Sequence, residues 1–280
     1  MIGDGRMANQ DSNHVDRVPM AMIQRIAEIP EQIREKKPLV HMIPNSVIVS
    51  LCTDGLTALG ARPLMAVAPE EMDEIPRYAD AVVVNMGQPT CQKMEAAEKA
   101  LLTAEEYGVP IIWDPVGAGA SKFRCDGFQK LLSLKWKGIV KGNRSEVSAL
   151  QSGVLSHQGI DSVGEFSLQM SPPDGRTWAV SGPQDLVFDE TRNFRLGHGE
   201  KKLMLTGSGC LTGAVMGACY AVEHDPVPAA LGAFCIMACA GDEAAKYSGY
   251  GSQKQALLDA LTGIDKKKLT EYVYRIRENL

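Results

Sequence analysis

Ala81-Val82-Val83-Val84-Asn85-Met86-Gly87 is the stretch on which the fold turns. Four apolar residues, three of them β-branched, follow one another without polar alternation, the pattern of a parallel strand covered on both faces. The run stops at a polar side chain and a glycine. From Cys91 to Gly108 the apolar residues recur at helical spacing, Gly108-Val109-Pro110 closes that helix, and Ile111-Ile112-Trp113 opens a second short apolar run. This is one βαβ unit. The second run ends in Asp114-Pro115-Val116-Gly117-Ala118-Gly119-Ala120. A carboxylate and a glycine-rich loop therefore both fall at a strand's C-terminal end, where open α/β sheets bind their ligands.

Toward the N-terminus, Met20 to Glu35 carries Met20, Ile23, Ile26, Ile29 and Ile33 close to helical spacing and reads as a surface helix broken at Pro30. Residues 1 to 17 are polar and unpatterned, which marks a flexible tail. Pro38 to Val47 is an extended apolar segment whose Asn45-Ser46 pair is expected to cap a helix from about Val47 to Gly60. Asn45 reads as that cap or as a ligand contact, and with His41 it also suits a buried turn satisfied by backbone groups. Gly60 to Ala66 is a helix stop and a short strand, and Glu70 to about Tyr78 a helix.

Toward the C-terminus, a helix near Asp126 to Leu134 leads into Gly138-Ile139-Val140-Lys141-Gly142-Asn143-Arg144-Ser145-Glu146. This is strand, loop and helix start, with Asn143 at the N-cap and Glu146 at the capping-box position, a role that alone accounts for Glu146. Residues 155 to 175 carry no legible pattern. Thr177 to Gly182 and Asp185 to Asp189 read as a hairpin joined through Gly182-Pro183, and Arg192 to Leu205 as an edge strand carrying His198. Helices follow near 208–223, 227–248, 254–261 and 268–279. The order predicts a single three-layer α/β/α domain over residues 18–280, with a mostly parallel central sheet.

At 280 residues, 45% hydrophobic and 22% charged, the chain suits a soluble globular protein with a sizeable core. A net charge of −5 argues against a broad surface for nucleic acid or acidic membrane. Seven cysteines without paired CxxC spacing suggest neither a disulfide framework nor a zinc site, and point to a reducing cytoplasm. Cys235 and Cys239, one helical turn apart, read as packed apolar residues. The most apolar window, Val227 to Gly241, is about 15 residues long, too short to span a bilayer, and reads as a buried helix.

Leu205-Thr206-Gly207-Ser208-Gly209-Cys210-Leu211-Thr212-Gly213 runs into a small-residue helix pattern. If the helix begins near Ser208, its first N–H groups lack intrahelical partners and carry the positive end of the helix dipole, a setting suited to a phosphate. Cys210 would lie in the first turn, where a thiol pKa tends to fall. The same glycines also suit a tight turn with close helix packing. Asp114, Asn143 with Glu146, Ser181-Gly182 and Thr206 to Cys210 all lie where strands hand over to loops. They match phosphoryl transfer: carboxylates for Mg²⁺, a lysine and polar groups for phosphates, and a helix N-terminus facing the moving charge. No P-loop motif GxxxxGK(S/T) is present, and no GxGxxG follows the first strand, which removes a nicotinamide-dependent oxidoreductase.

In PLVHMIPNSV (38–47), GARPLMA (60–66), DPVGAGA (114–120), KGNRSEV (141–147), AVSGPQDLVFD (179–189) and TGSGC (206–210), the chain resembles the hydroxyethylthiazole kinases of thiamine salvage, members of the ribokinase-like superfamily. The resemblance implies a ribokinase-like fold, a homotrimer with thiazole sites at subunit interfaces, and ATP-dependent phosphorylation of a thiazole alcohol's primary hydroxyl. It implies thiazole-site roles for Asn45, Val47 and Met65, nucleotide-site roles for Lys141 and Ser181, with Asn143 beside them, and acidic roles near phosphate and Mg²⁺ for Asp114 and Glu146. Gly207, Gly209 and Cys210 match the family's anion hole and its cysteine. Lys141 stands where the family pattern has arginine, Ser181 and Pro44 where it has threonine, and Ser46 where it has a second asparagine. The competing readings are a ribokinase-like kinase of a hydroxymethyl-pyrimidine or pyridoxal-type alcohol, and a non-catalytic thiazole- or nucleotide-binding protein.

Overall fold

The computed structural model describes residues 17–153, 168, 174–197 and 205–278. At its centre β3 (Ala81–Asn85) is buried at every residue. It lies between β1 (Leu39–Ile43) and β4 (Ile111–Asp114), with β2 (Arg62–Met65) outside β1. β5 (Ile139–Asn143), β6 (Thr177–Ser181), β7 (Gln184–Phe188) and β8 (Asn193–Gly197) continue the sheet on the other side, in the order β2-β1-β3-β4-β5-β6-β7-β8. The pairings from β2 to β6 are parallel, and β7 and β8 close the edge antiparallel. From β1 the chain passes first to one side and then to the other. The crevice beyond the C-terminal ends of β1 and β3 is thus the switch point at which such sheets bind ligands.

Alternation along the strands divides the core. Val40, Met42, Val83 and Ile112 face one apolar layer, while Ile43, Val82, Val84, Ile111 and Trp113 face the other. On the first face pack α1 (Met20–Lys36), α2 (Val49–Leu59), α7 (Ser208–Glu223), α8 (Pro226–Ala244), α9 (Tyr250–Thr262) and α10 (Lys266–Glu278). On the second lie α3 (Ile75–Tyr78), α4 (Cys91–Glu106), α5 (Lys122–Ser133) and α6 (Arg144–Ser152). The architecture is the expected three-layer, mostly parallel α/β/α fold. Gly217 lets α7 lie directly on the sheet: a Cβ there would stand 2.5 Å from Val83 Cγ2.

Several local expectations change. Pro30 does not break α1, which runs unbroken from Met20 to Lys36. A proline inside a helix costs about 3 kcal/mol. Ile23, Ile26, Ile29 and Ile33 are all buried, and at roughly 1.5–3 kcal/mol each their burial outweighs that cost. Asn45 and Ser46 do not cap α2, whose N-cap is Ile48 without a side-chain bond. The 70–78 helix resolves into a 3₁₀ turn over Pro69–Glu71 and the short α3. α5 begins earlier, at Lys122, because Ser121 accepts a hydrogen bond from the Arg124 amide. α8, at 19 residues, is long and apolar enough to cross a membrane, yet it is mostly buried inside the protein. Cys235, on α8, is buried among apolar residues and Cys239 packs against the same core. The hairpin and the edge strand β8 are present, whereas His198, most of 155–175 and residues 1–16 lie outside the described residues.

Candidate active site

Four adjacent strands each supply one polar side chain at or near the C-terminal edge of the sheet, and these side chains form a row. Asn85 and Asp114 end β3 and β4, Asn45 follows β1, and Lys141 lies two residues before the end of β5. Asn45, just beyond β1, donates through Nδ2 to Asn85 Oδ1 at 2.9 Å, while its own Oδ1 accepts from the Val47 amide at 3.1 Å. Asn85, the last residue of β3, also accepts from the Gly87 amide and donates through Nδ2 to Asp114 Oδ2 at 3.0 Å. Asp114, at the end of β4 and paired in register with Asn85, faces Lys141 Nζ at 3.6 Å from Oδ2. All four are buried. Each amide is fixed by bonds on both its oxygen and its nitrogen, and this accounts for a polar row surviving inside an apolar fold.

Asp114 Oδ1 is buried without a hydrogen-bond partner. Burial pushes the Asp114 carboxyl upward, against the pull of Lys141 and Asn85. Burial also acts to lower Lys141, but the negative charge of Asp114 holds its ammonium above the usual range, with Cys210 and Glu146 adding to the effect. The next turn is built on Glu146. Its Oε1 accepts from the Gly117 amide and its Oε2 from the Asn143 amide, both at 2.8 Å, while Asn143 Oδ1 accepts from the Glu146 amide at 2.9 Å. The capping box read from the sequence is therefore present, and the same carboxylate also ties the Asp114 glycine loop to the start of α6. Burial, and then the Asp114 charge, raise Glu146 to about 7.

α7 begins at Ser208, as its glycine pattern predicts, and its N-terminus covers the row. Gly207 is its N-cap at φ 87°, a left-handed conformation, and a Cβ there would lie 2.6 Å from Ile48 Cγ2. Only glycine meets both conditions without strain. The amides of Gly209 and Cys210, at the second and third helical positions, have no intrahelical carbonyl to bind. A Cβ on Gly209 would stand 3.4 Å from Lys141 Nζ, and one on Gly213 3.4 Å from Asp114 Oδ2, so the ion pair lies directly beneath the helix start. The first amides of α7, the helix dipole and the buried Lys141 meet there, a setting suited to an anion.

Cys210 corrects the sequence reading. It lies in the first turn of α7, but burial and then the charge of Asp114 push its thiol above the ordinary range, outweighing Lys141 and Asn85. It is a neutral thiol, 3.8 Å from Asn45 Nδ2. Ser181 ends β6 opposite Asn143 and donates from Oγ to Gly142 O at 3.4 Å, which brings it beside the Lys141 strand. Val47 and Met65 are not drawn into the polar row. Val47 is 67% exposed and Met65 is half-buried on the edge strand β2.

Three residues of this region escape a reading of the sequence. Asn85 is the polar terminus of a buried parallel strand, and that position was its signal. Arg124 Nη1 donates to Met86 O at 3.2 Å and Val116 O at 2.6 Å, joining the ends of β3 and β4. Lys93 Nζ donates to Pro44 O at 2.6 Å and Gly87 O at 2.7 Å.

The fold is that of a ribokinase-like protein: an Enterococcus faecalis member of that superfamily superimposes with TM-score 0.55 at 15% identity, covering 88% of this chain and 84% of that one. A model of the hydroxyethylthiazole kinase family matches residues 31–267. The hydroxyethylthiazole kinase of Desulfosudis oleivorans is 36% identical over 267 residues, 92% of this chain and 97% of its own. The solved structure of the hydroxyethylthiazole kinase protein from Pyrococcus horikoshii gives TM-score 0.74 at 35% identity, covering 87% of this chain and 94% of that one. The chain belongs to the hydroxyethylthiazole kinase family.

Proposed function

We propose that this chain transfers the γ-phosphoryl group of ATP to the primary hydroxyl of 4-methyl-5-(2-hydroxyethyl)thiazole, the thiazole salvage step of thiamine biosynthesis. The observation that carries the reading is the row Asn45–Asn85–Asp114–Lys141 beneath the glycine-rich start of α7. The transferred group would sit against the Gly209 and Cys210 amides, with Lys141 balancing its charge. Phosphoryl transfer passes through a loose transition state with charge spread over the equatorial oxygens, so positioning and electrostatics contribute most of the catalysis. A neutral Cys210 thiol suits this division of work: it orients the acceptor hydroxyl with Asn45 while Asp114 supplies the nearby carboxylate. Lys141, Asn143 and Ser181, adjacent on β5 and β6, form the nucleotide side.

The unpartnered Asp114 Oδ1 suits a cation or a metal-bound water. Asp114 and Glu146 would hold Mg²⁺ largely through phosphate oxygens and water. The ion, when bound, would neutralise phosphate charge during transfer. Exposed Val47 and edge-strand Met65 support a homotrimer in which each thiazole pocket is completed by a neighbouring copy. Residues 18–280 act as one catalytic domain in the cytoplasm, with neither nucleic acid nor membrane as partner.

The test is purified protein with ATP and Mg²⁺ against hydroxyethylthiazole, a hydroxymethyl-pyrimidine and pyridoxal, scored by ADP release and by the mass of the phosphorylated product. The thiazole alcohol should be preferred. A preference for the pyrimidine or pyridoxal would favour the neighbouring kinase class, and ligand binding without product would favour a binding protein.

A further inference from the structure

Lys93 occupies a position that local helix physics disfavours. It lies in the first turn of α4, where Thr90 caps the helix by accepting from the Lys93 amide at 3.1 Å. A cation is unfavourable there because the helix dipole presents its positive end. The side chain is half-buried and turns back, so that its ammonium joins two turns. Pro44 O, which it binds at 2.6 Å, immediately precedes Asn45, and Gly87 O, at 2.7 Å, follows Asn85 by two residues. Lys93 therefore staples the two segments whose asparagines meet at 2.9 Å. These bonds use two of its three donors.

The approach of the Gly87 turn to Asn45 is close. A Cβ on Gly87 would stand 2.5 Å from Asn45 Nδ2. A shift of either turn therefore moves Asn45, and with it the amide that faces Cys210 Sγ at 3.8 Å. We propose that Lys93 is a positioning residue for the acceptor alcohol: it locks the Pro44 and Gly87 turns together so that Asn45 and Cys210 present a fixed seat to the hydroxyl, across the site from Lys141. The inference rests on the proposed phosphorylation and adds to it a residue on the acceptor side.

The staple depends on protonation. Burial lowers Lys93 to about 8. Cys210 on α7 acts to raise it, Arg124 on α5 to lower it, and Asp114 at the end of β4 to raise it. The lock should therefore loosen in mildly alkaline solution, which a lysine that merely fills space would not do.

The experiment compares the wild-type protein with Lys93→Met, Lys93→Gln and Lys93→Arg, and with Lys99→Met, a surface lysine further along the same helix, as control. Lys93→Met, which removes both bonds, is expected to raise KM for the thiazole alcohol about tenfold, the scale of one hydrogen bond lost between the displaced seat and the hydroxyl, with KM for ATP within about twofold of wild type. Lys93→Arg should recover most of the loss. In the wild type, KM for the alcohol should rise above about pH 8, and in Lys93→Arg it should not. Amide hydrogen exchange in peptides covering 44–47 and 86–88 should speed up in Lys93→Met and stay at the wild-type rate in Lys99→Met. Unchanged alcohol KM with unchanged exchange would overturn the proposal, as would a rise confined to the KM for ATP. If Lys93→Met does not fold, Lys93→Gln and the wild-type pH profile decide by the same criteria. A wild-type protein that phosphorylates no thiazole alcohol would count against the proposed function, and the exchange data would still decide whether Lys93 locks the turns.

Discussion

Asp114 carries more of the site than any other side chain. One oxygen is shared between Asn85 and Lys141, and the other is buried without a partner. Asp114→Asn keeps the shape but leaves Lys141 as a buried, uncompensated cation, a loss of the kind that costs about 3–5 kcal/mol. Turnover should fall at least about a hundredfold, and the thermal midpoint should fall with it, as read by steady-state kinetics and calorimetry. An unchanged midpoint would mean that the ion pair contributes nothing to the fold. Cys210 should behave differently. With its thiol neutral, Cys210→Ser should lose less than about tenfold in rate, since orientation contributes more than basicity to this transfer. Its alkylation rate should rise with pH through an inflection above that of a free thiol. An inflection below it would restore the thiolate expected from the helix position. That expectation failed because a sequence shows that Cys210 opens a helix, but not that Asp114 lies beside it.

The start of α7 makes a sharp comparison between two glycines. Gly207→Ala would place a Cβ at a φ of 87° and 2.6 Å from Ile48, so α7 must shift and its amides with it. Gly209→Ala meets only Lys141 Nζ, at an ordinary 3.4 Å. We expect Gly207→Ala to lose about a hundred- to a thousandfold in kcat and Gly209→Ala clearly less, with kcat/KM for both substrates as the measurement. The reverse order would make the helix start a packing device. Elements of this kind were legible where chemistry is local: the β-branched run of β3, the Asn143–Glu146 capping box and the glycine-rich start of α7 can all be read directly. Features fixed by tertiary contact were not. Pro30 continues a helix because four isoleucines are buried beside it, and Lys93 gains its role only once β1 and β3 lie side by side.

Across the whole molecule, buried charge makes stability depend on pH. Folded Glu146 keeps its proton to about pH 7, whereas an unfolded glutamate releases it near about pH 4.3. Between those values the folded state binds more protons, so this group's contribution to stability falls as pH rises. The ligand-free protein should be more stable toward the acidic end of that window, and Glu146→Gln should flatten the slope in denaturant titrations at several pH values. A steeper slope in Glu146→Gln would contradict the assignment. The fold class and the strand-end location of the site could be read from the βαβ pattern. The sheet order and the row joining four strands could not, because parallel strands distant in sequence become neighbours only through the crossover helices. The central claim is that the start of α7 and Lys141 form the phosphoryl seat, with Cys210 and Asn45 on the acceptor side. A crystal structure with a non-hydrolysable ATP analogue, Mg²⁺ and hydroxyethylthiazole tests it most directly. The γ-phosphate should lie within about 3 Å of the Gly209 or Cys210 amide and of Lys141 Nζ, at hydrogen-bond distance, with the thiazole hydroxyl turned toward Cys210. A γ-phosphate seated on the Gly117–Gly119 loop and out of reach of α7 would contradict it.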